Sequence, residues 1–148
     1  MDVAAFIISL LALVLSVIVA IVEARRDAKN TRISIEFEFY KDIYKEYLVS
    51  KIPQARGLMW FGANSQLQDA QYLIEELNSM RRDSLYFSYN NKKFFKELKG
   101  NLQELEDYII KAEGKTMDAQ DRAEFEDSVQ KGLDNIYGTI SKGYFGKL

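Results

Sequence analysis

Residues Val3 to Val22 read VAAFIISLLALVLSVIVAIV, 20 positions without a charge, in which Ser9 and Ser16 are the only polar members. As a helix they extend roughly 30 Å, the hydrocarbon thickness of a bilayer. The pattern predicts a transmembrane helix within an anchor over residues 1–24. A buried core helix is the alternative, but such helices carry a polar face. A cleaved signal peptide is another, with Val22-Glu23-Ala24 as a loose cleavage site; the flank Met1-Asp2 has no Lys or Arg, and the apolar run exceeds a 7–15-residue h-region. Arg25, Arg26, Lys29 and Arg32 follow the run and make residues 25–32 a basic juxtamembrane segment. Positive flanks stay in the cytoplasm. The expected topology is therefore N-terminus out, with the rest on the cytoplasmic face of a cell (inner) membrane. Ala5, Ser9, Ala12, Ser16 and Ala20 recur at steps of 4, 3, 4 and 4, a small-residue stripe suited to close helix approach.

From residue 33 onward the spacing predicts a helical bundle of four to five helices over 33–148, which makes the fold class all-α. A break is expected near Asn30-Thr31. Ile33, Phe37, Tyr40, Tyr44, Tyr47 and Leu48 favour a helix over 33–50, although Ile33, Ile35, Phe37 and Phe39 also alternate as in a strand. Pro53, the single proline, fits the first turn of a short helix over about 53–61, ended by Gly62 and Asn64. Ser65-x-x-Gln68 has the form of a capping box and opens a helix with Leu67, Ala70, Ile74 and Leu77 on one face. Asn90 or Asn91 caps a helix with a seam at Phe95, Leu98, Leu102, Leu105, Ile109 and Ala112, closed by Gly114. Asp118 caps the last helix, with Phe125, Val129, Leu133, Ile136, Ile140 and Tyr144 inward and Gly138, Gly143 and Gly146 expected to fray its end. The two seams pack antiparallel through the turn at 113–118, or form an intermolecular coiled coil.

Composition then removes chemistry. The 148 residues contain no His and no Cys, which excludes disulfides, thiolate nucleophiles, His-based proton shuttles and Cys/His zinc sites. A net charge of −2 lacks the basic excess of a general nucleic-acid binder. Gly114-Lys115-Thr116 resembles the end of a P-loop, but Ile109 stands where the motif needs Gly. Residues 101–127 carry nine carboxylates against three cations, without the alternate spacing of an EF-hand loop. No catalytic residue, cofactor or metal is expected.

Residues 81–99 are opposite in sign, with six cations, among them Arg81, Arg82, Lys92 and Lys93, against two carboxylates. Tyr86, Phe87, Tyr89, Phe94 and Phe95 are interleaved with them. Three readings stand: single-strand nucleic-acid recognition, an aromatic core with snorkelling basic rims, or a surface that meets the acidic segment of a neighbouring copy or partner. Gly57 to Phe61, including Trp60, is either core or a partner-facing patch.

The layout of one N-terminal transmembrane helix, a basic stop and a helical domain resembles uncharacterised small single-pass bacterial membrane proteins. Some of these are similar to components of anti-phage operons. The resemblance lies in the layout and carries over no residue role. The function expected first is a membrane-anchored, non-enzymatic interaction module whose partners are the bilayer and either a second copy or a membrane-protein partner, not nucleic acid or nucleotide. The alternative is a membrane-acting effector, a permeabilising oligomer in anti-phage defence.

Overall fold

The computed structural model describes residues 3–145, with side chains from residue 12 onward. Helix accounts for 85% of it, so the fold is all-α. Two compact units divide the chain at Glu38/Phe39. Helix α1 (Val3–Ile43) supplies the described residues of the first and opens the second.

Within the first unit α1 runs unbroken through Asn30-Thr31, contrary to the break expected there. Asn and Thr in a helix interior cost only a few tenths of a kcal/mol each, no Gly or Pro interrupts residues 3–43, and Arg32 pairs with Glu36 one turn on (3.4 Å). The alternation at Ile33–Phe39 yields helix, not strand. Among the described residues no helix is long and apolar enough to cross a membrane. The expected span, Val3–Val22, begins in residues whose side chains lie outside the description.

The second unit is a helical bundle. Beyond Ile43 the helical hydrogen bonds widen to i→i+5 over a π segment, Tyr44–Lys51. The Ile52 N–H donates to the Tyr47 carbonyl, and α2 (Ile52–Leu58) follows with Pro53 in its first turn. It ends three residues before the expected position. Pro53 explains part of the widening. In α register its ring would clash with the Val49 carbonyl, and it has no N–H to give to Leu48 five residues back. The Tyr137 hydroxyl instead donates to the Leu48 carbonyl (2.6 Å).

The expected capping box at Ser65 does not form. Ser65 has φ 60 and Asp69 φ 59, Gly62–Ser65 is a tight turn (Ser65 N–H to Gly62 O, 2.8 Å), and β1 (Trp60–Phe61) pairs antiparallel with β2 (Leu67–Gln68), Trp60 opposite Gln68. Contacts with a distant segment outcompete the local cap: Gln66 bridges Thr116, and the Met117 N–H donates to the Ser65 carbonyl (3.0 Å). Leu67 is still buried, from a strand rather than a helix. Helix α3 (Ala70–Asp83) then buries Ala70, Leu73, Leu77 and Met80.

A short α4 (Tyr86–Asn90) delivers Phe87 to an aromatic cluster with Tyr40 (ring centroids 4.5 Å apart) and Phe94 (4.8 Å). Asn91 caps α5 (Lys92–Ala112), its Oδ1 accepting from the Phe94 N–H (3.3 Å). The buried seam runs from Phe94, not Phe95, through Leu98, Leu102, Leu105 and Ile109 to Ala112. Gly114, at φ 73, closes the helix as expected. Asp118 and Asp121 cap α6 (Ala119–Phe145) reciprocally: the Asp121 N–H donates to Asp118 Oδ1 (2.9 Å) and the Asp118 N–H to Asp121 Oδ2 (3.4 Å). α5 and α6 pack against each other within the chain, so both seams are filled intramolecularly.

The expected fraying of α6 does not occur at Gly138 or Gly143, since the helix continues to Phe145. Gly143 is a close-approach position: a Cβ there would stand 2.5 Å from the Tyr40 ring. Gly146 lies outside the described residues.

Candidate interaction surfaces

The stripe on α1 is described only from Ala12. Ala5 and Ser9 lie outside the described side chains. Ala12, Ser16 and Ala20 share one helix face by their four-residue steps. The Ser16 hydroxyl donates to the Ala12 carbonyl of its own helix (2.8 Å). Around that stripe, all eight large apolar side chains from Leu13 to Val22 are 48–66% exposed. Arg25, Arg26 and Lys29 are exposed on the same helix, and Arg32 is held by Glu36.

In the second unit the candidate partner residues separate. Arg81 turns inward: its guanidinium pairs with Glu106 of α5 (3.0 Å) and donates to Asn78, while the Asn78 amide donates to the other Glu106 oxygen (2.8 Å). It ties α3 to α5 and is only partly accessible. Arg82 stays exposed, donating to Ser79 (3.2 Å). Lys92 and Lys93 open α5 and are exposed. The apolar cluster at 57–61 divides, with Met59 in the core and Leu58 and Trp60 outward. Trp60 is 54% exposed and donates its indole N–H to Asp69 (2.8 Å).

One polar knot had no counterpart in the sequence reading. Tyr47, 1% exposed within the π segment, donates its hydroxyl to the Asp83 carboxylate at the end of α3. Lys51 lies over the Tyr47 ring (4.6 Å) and pairs with Glu46 (2.5 Å), with Glu76 at 3.9 Å. Burial, then the hydrogen bond to Asp83, raises the Tyr47 phenol well above its ordinary value. The Glu46 contact raises Lys51. Burial also raises Tyr40, against the hydrogen bond from Asn91, and Tyr137. The Tyr47–Asp83 and Tyr137–Leu48 hydrogen bonds tie the π segment to α3 and α6. The one advance sign was two adjacent apolar positions, Tyr47 and Leu48, in a stretch otherwise stepping by three and four.

Among the described residues no three acidic side chains converge to hold a metal ion. A groove of about 240 Å³ runs between α5 and α6, where Gly132 brings the helices together; Lys131 in its wall pairs with Asp127 (2.5 Å). The Gly114-Lys115-Thr116 segment is a turn that pairs with Gln66, not a phosphate loop. Compared with known proteins, the chain matches no protein-family model, and no characterised protein or solved structure is significantly similar to it.

Proposed function

We propose that the chain is a membrane-anchored, non-enzymatic interaction module: α1 holds it in a bilayer, and the helical bundle engages a protein partner or a second copy. The observation that carries the anchor is the uncharged helix surface from Leu13 to Val22, whose eight large apolar side chains are each about half exposed or more among the described residues. An all-round apolar helix is stable only in a core or in lipid. The described part, residues 12–22, reaches only about 16 Å as helix. The full uncharged run of 20 residues has the length of a bilayer core.

The polar chemistry supports a binding rather than a catalytic role. Polar groups between the helices join them to one another, as Arg81–Glu106 and Tyr47–Asp83 do. The Ser16 hydroxyl spends its proton on its own helix, which favours the module over a pore needing polar lining.

The test is membrane fractionation of the full chain with an alkaline carbonate wash. The wild type should stay in the membrane pellet. The double variant Leu13→Lys/Leu15→Lys should be released, because each lysine near a span's centre costs about 3 kcal/mol. Recovery of the wild type as a monodisperse protein without detergent would refute the anchor. A cytoplasm-only reporter fused after Leu148 should be active, and extracytoplasmic activity there would reverse the orientation.

A further inference from the structure

The charges of the bundle are segregated in a way its own stability does not favour. Lys92 and Lys93 sit in the first turn of α5, where the helix dipole is already positive and acidic side chains belong. Lys96 and Lys99 continue the same exposed surface. Lys92–Lys96, Lys93–Lys96 and Lys96–Lys99 are like-charge neighbours at helical spacing, which repel, and the single carboxylate among them, Glu97 one turn beyond Lys93, leaves the excess positive. Among the described residues none of these four lysines has a carboxylate within ion-pair distance. Leu85 and Tyr89 precede them on and beside α4, and Tyr89 is 83% exposed.

The opposite end of α5, about 30 Å away along a 21-residue helix, reverses the sign. Asp107, Glu113, Asp118, Asp121 and Glu124 are exposed there, beside the exposed Ile110 and Tyr108. Glu97 stands among the lysines at the first end, and Lys111, Lys115 and Arg122 among the carboxylates at the second. Each end thus joins exposed apolar side chains to an excess, not a monopoly, of one sign of charge, the make-up of an interface with an apolar centre and a polar rim. The two ends are complementary to each other and cannot meet within one chain.

We propose that the basic end of one bundle docks on the acidic end of a second copy, giving a head-to-tail contact between copies of this chain. Such a contact is heterologous, so it propagates into a ring or a filament rather than closing as a two-fold dimer. It takes its partner class from the interaction-module reading but does not depend on the membrane anchor. The charges act over about 8 Å at physiological ionic strength, so the association is salt-sensitive.

The test is sedimentation velocity of the full chain in non-ionic detergent at about 0.05 M and 0.5 M salt. The wild type should exceed monomer mass at low salt and fall towards monomer at high salt. Lys92→Glu/Lys93→Glu and Asp107→Lys/Glu124→Lys should each be monomeric at low salt, with unchanged circular dichroism because all four positions are exposed. An equimolar mixture of the two variants should associate again, since each offers the end the other lost. A wild type that is monomeric at about 100 μM and low salt overturns the proposal. So does a mass that neither charge change alters, which would assign the assembly to α1. Binding to phosphatidylserine vesicles that needs Lys92 and Lys93, without self-association, would give the patch to lipid and also overturn it. Failure of the anchor would appear in the carbonate wash and leave the salt-dependent mass untouched.

Discussion

The Leu48 carbonyl is the point where the π segment can be tested most directly. Pro53 denies it a backbone donor, and the Tyr137 hydroxyl takes that place at 2.6 Å across 89 residues of chain. Tyr137→Phe removes the donor and leaves the carbonyl unpaired, at a cost of about 1–3 kcal/mol. Tyr137 is only partly buried, so water reaches the gap and the lower half of that range is expected. For a unit of about 110 residues this is a fall in Tm of roughly 4–8 °C. Pro53→Ala returns an N–H five residues after Leu48 and gives up the proline's restriction of the unfolded chain, a loss of about 0.4–1 kcal/mol. In that background the phenol has a backbone competitor, and Tyr137→Phe should cost about 1 kcal/mol less, a coupling within the range of contacting residues. The assay is urea unfolding of the four chains followed by the fluorescence of Trp60, the single tryptophan, which sits on β1 and is bonded to Asp69. An equal cost of Tyr137→Phe in both backgrounds would refute the proposed link between the missing proline N–H and the phenol.

Other outcomes follow from the same packing. Leu102→Asp buries an unpaired charge at a position 1% exposed, costs several kcal/mol and should abolish the cooperative Trp60 transition; a transition at the wild-type midpoint would contradict the α5 seam. Gly143→Ala should destabilise by about 1–3 kcal/mol, because its Cβ meets the Tyr40 ring at 2.5 Å and the Phe94 ring at 3.0 Å. Gly138→Ala, with nothing within 4 Å, should stabilise by about 0.5–1 kcal/mol; equal effects at the two sites would remove the close-approach role. The tyrosines predict alkaline weakening: Tyr40, Tyr47 and Tyr137 are raised by folding, so their stabilisation is complete below pH ~10 and is lost as pH climbs through the raised values. Urea midpoints should therefore fall above pH ~10, less steeply in Tyr47→Phe, and a flat profile would contradict the buried phenols.

The α5 and α6 seams were legible because every signal for them is local. Apolar steps of three and four, an Asn91 cap, the Asp118–Asp121 pair and Gly114 at positive φ all lie within a few residues of what they govern. The seam of α5 begins one residue earlier than the spacing suggested because Phe94 and Phe95 are adjacent, and only the position of Tyr40 decides which ring goes inside. The Trp60–Gln68 hairpin was not legible. Ser65 and Gln68 have the right residue types for a cap, and only the pairing of Gln66 with Thr116, 50 residues away, overrides it. The candidate surfaces divide in the same way. Charge segregation between residues 81–99 and 101–127 is plain in the sequence, whereas the withdrawal of Arg81 into a pair with Glu106 depends on how α3 lies against α5.

The π segment settles a conflict between helix geometry and the apolar pattern. The buried positions run Tyr40, Ile43, Tyr47, then Leu48, Ile52, Ala55, Met59: two sets in helical phase, displaced by one residue where Tyr47 meets Leu48. An α-helix turns about 100° per residue, so a regular helix through both sets could face only one of them to the core. Counting back from Ile52 in α register brings Lys45 and Lys41 inward, and a buried ammonium costs several kcal/mol. Widened hydrogen bonds absorb the extra residue instead. Deleting Val49, which is 63% exposed, should therefore bring the two sets into a single phase, convert the segment to α-helix and leave a cooperative Trp60 transition. Deleting Gln103, likewise exposed but inside the regular α5, should throw Phe94–Leu102 out of phase with Leu105–Ala112 and unfold the bundle. If the two deletions damage the protein equally, the extra residue is not what the π segment accommodates.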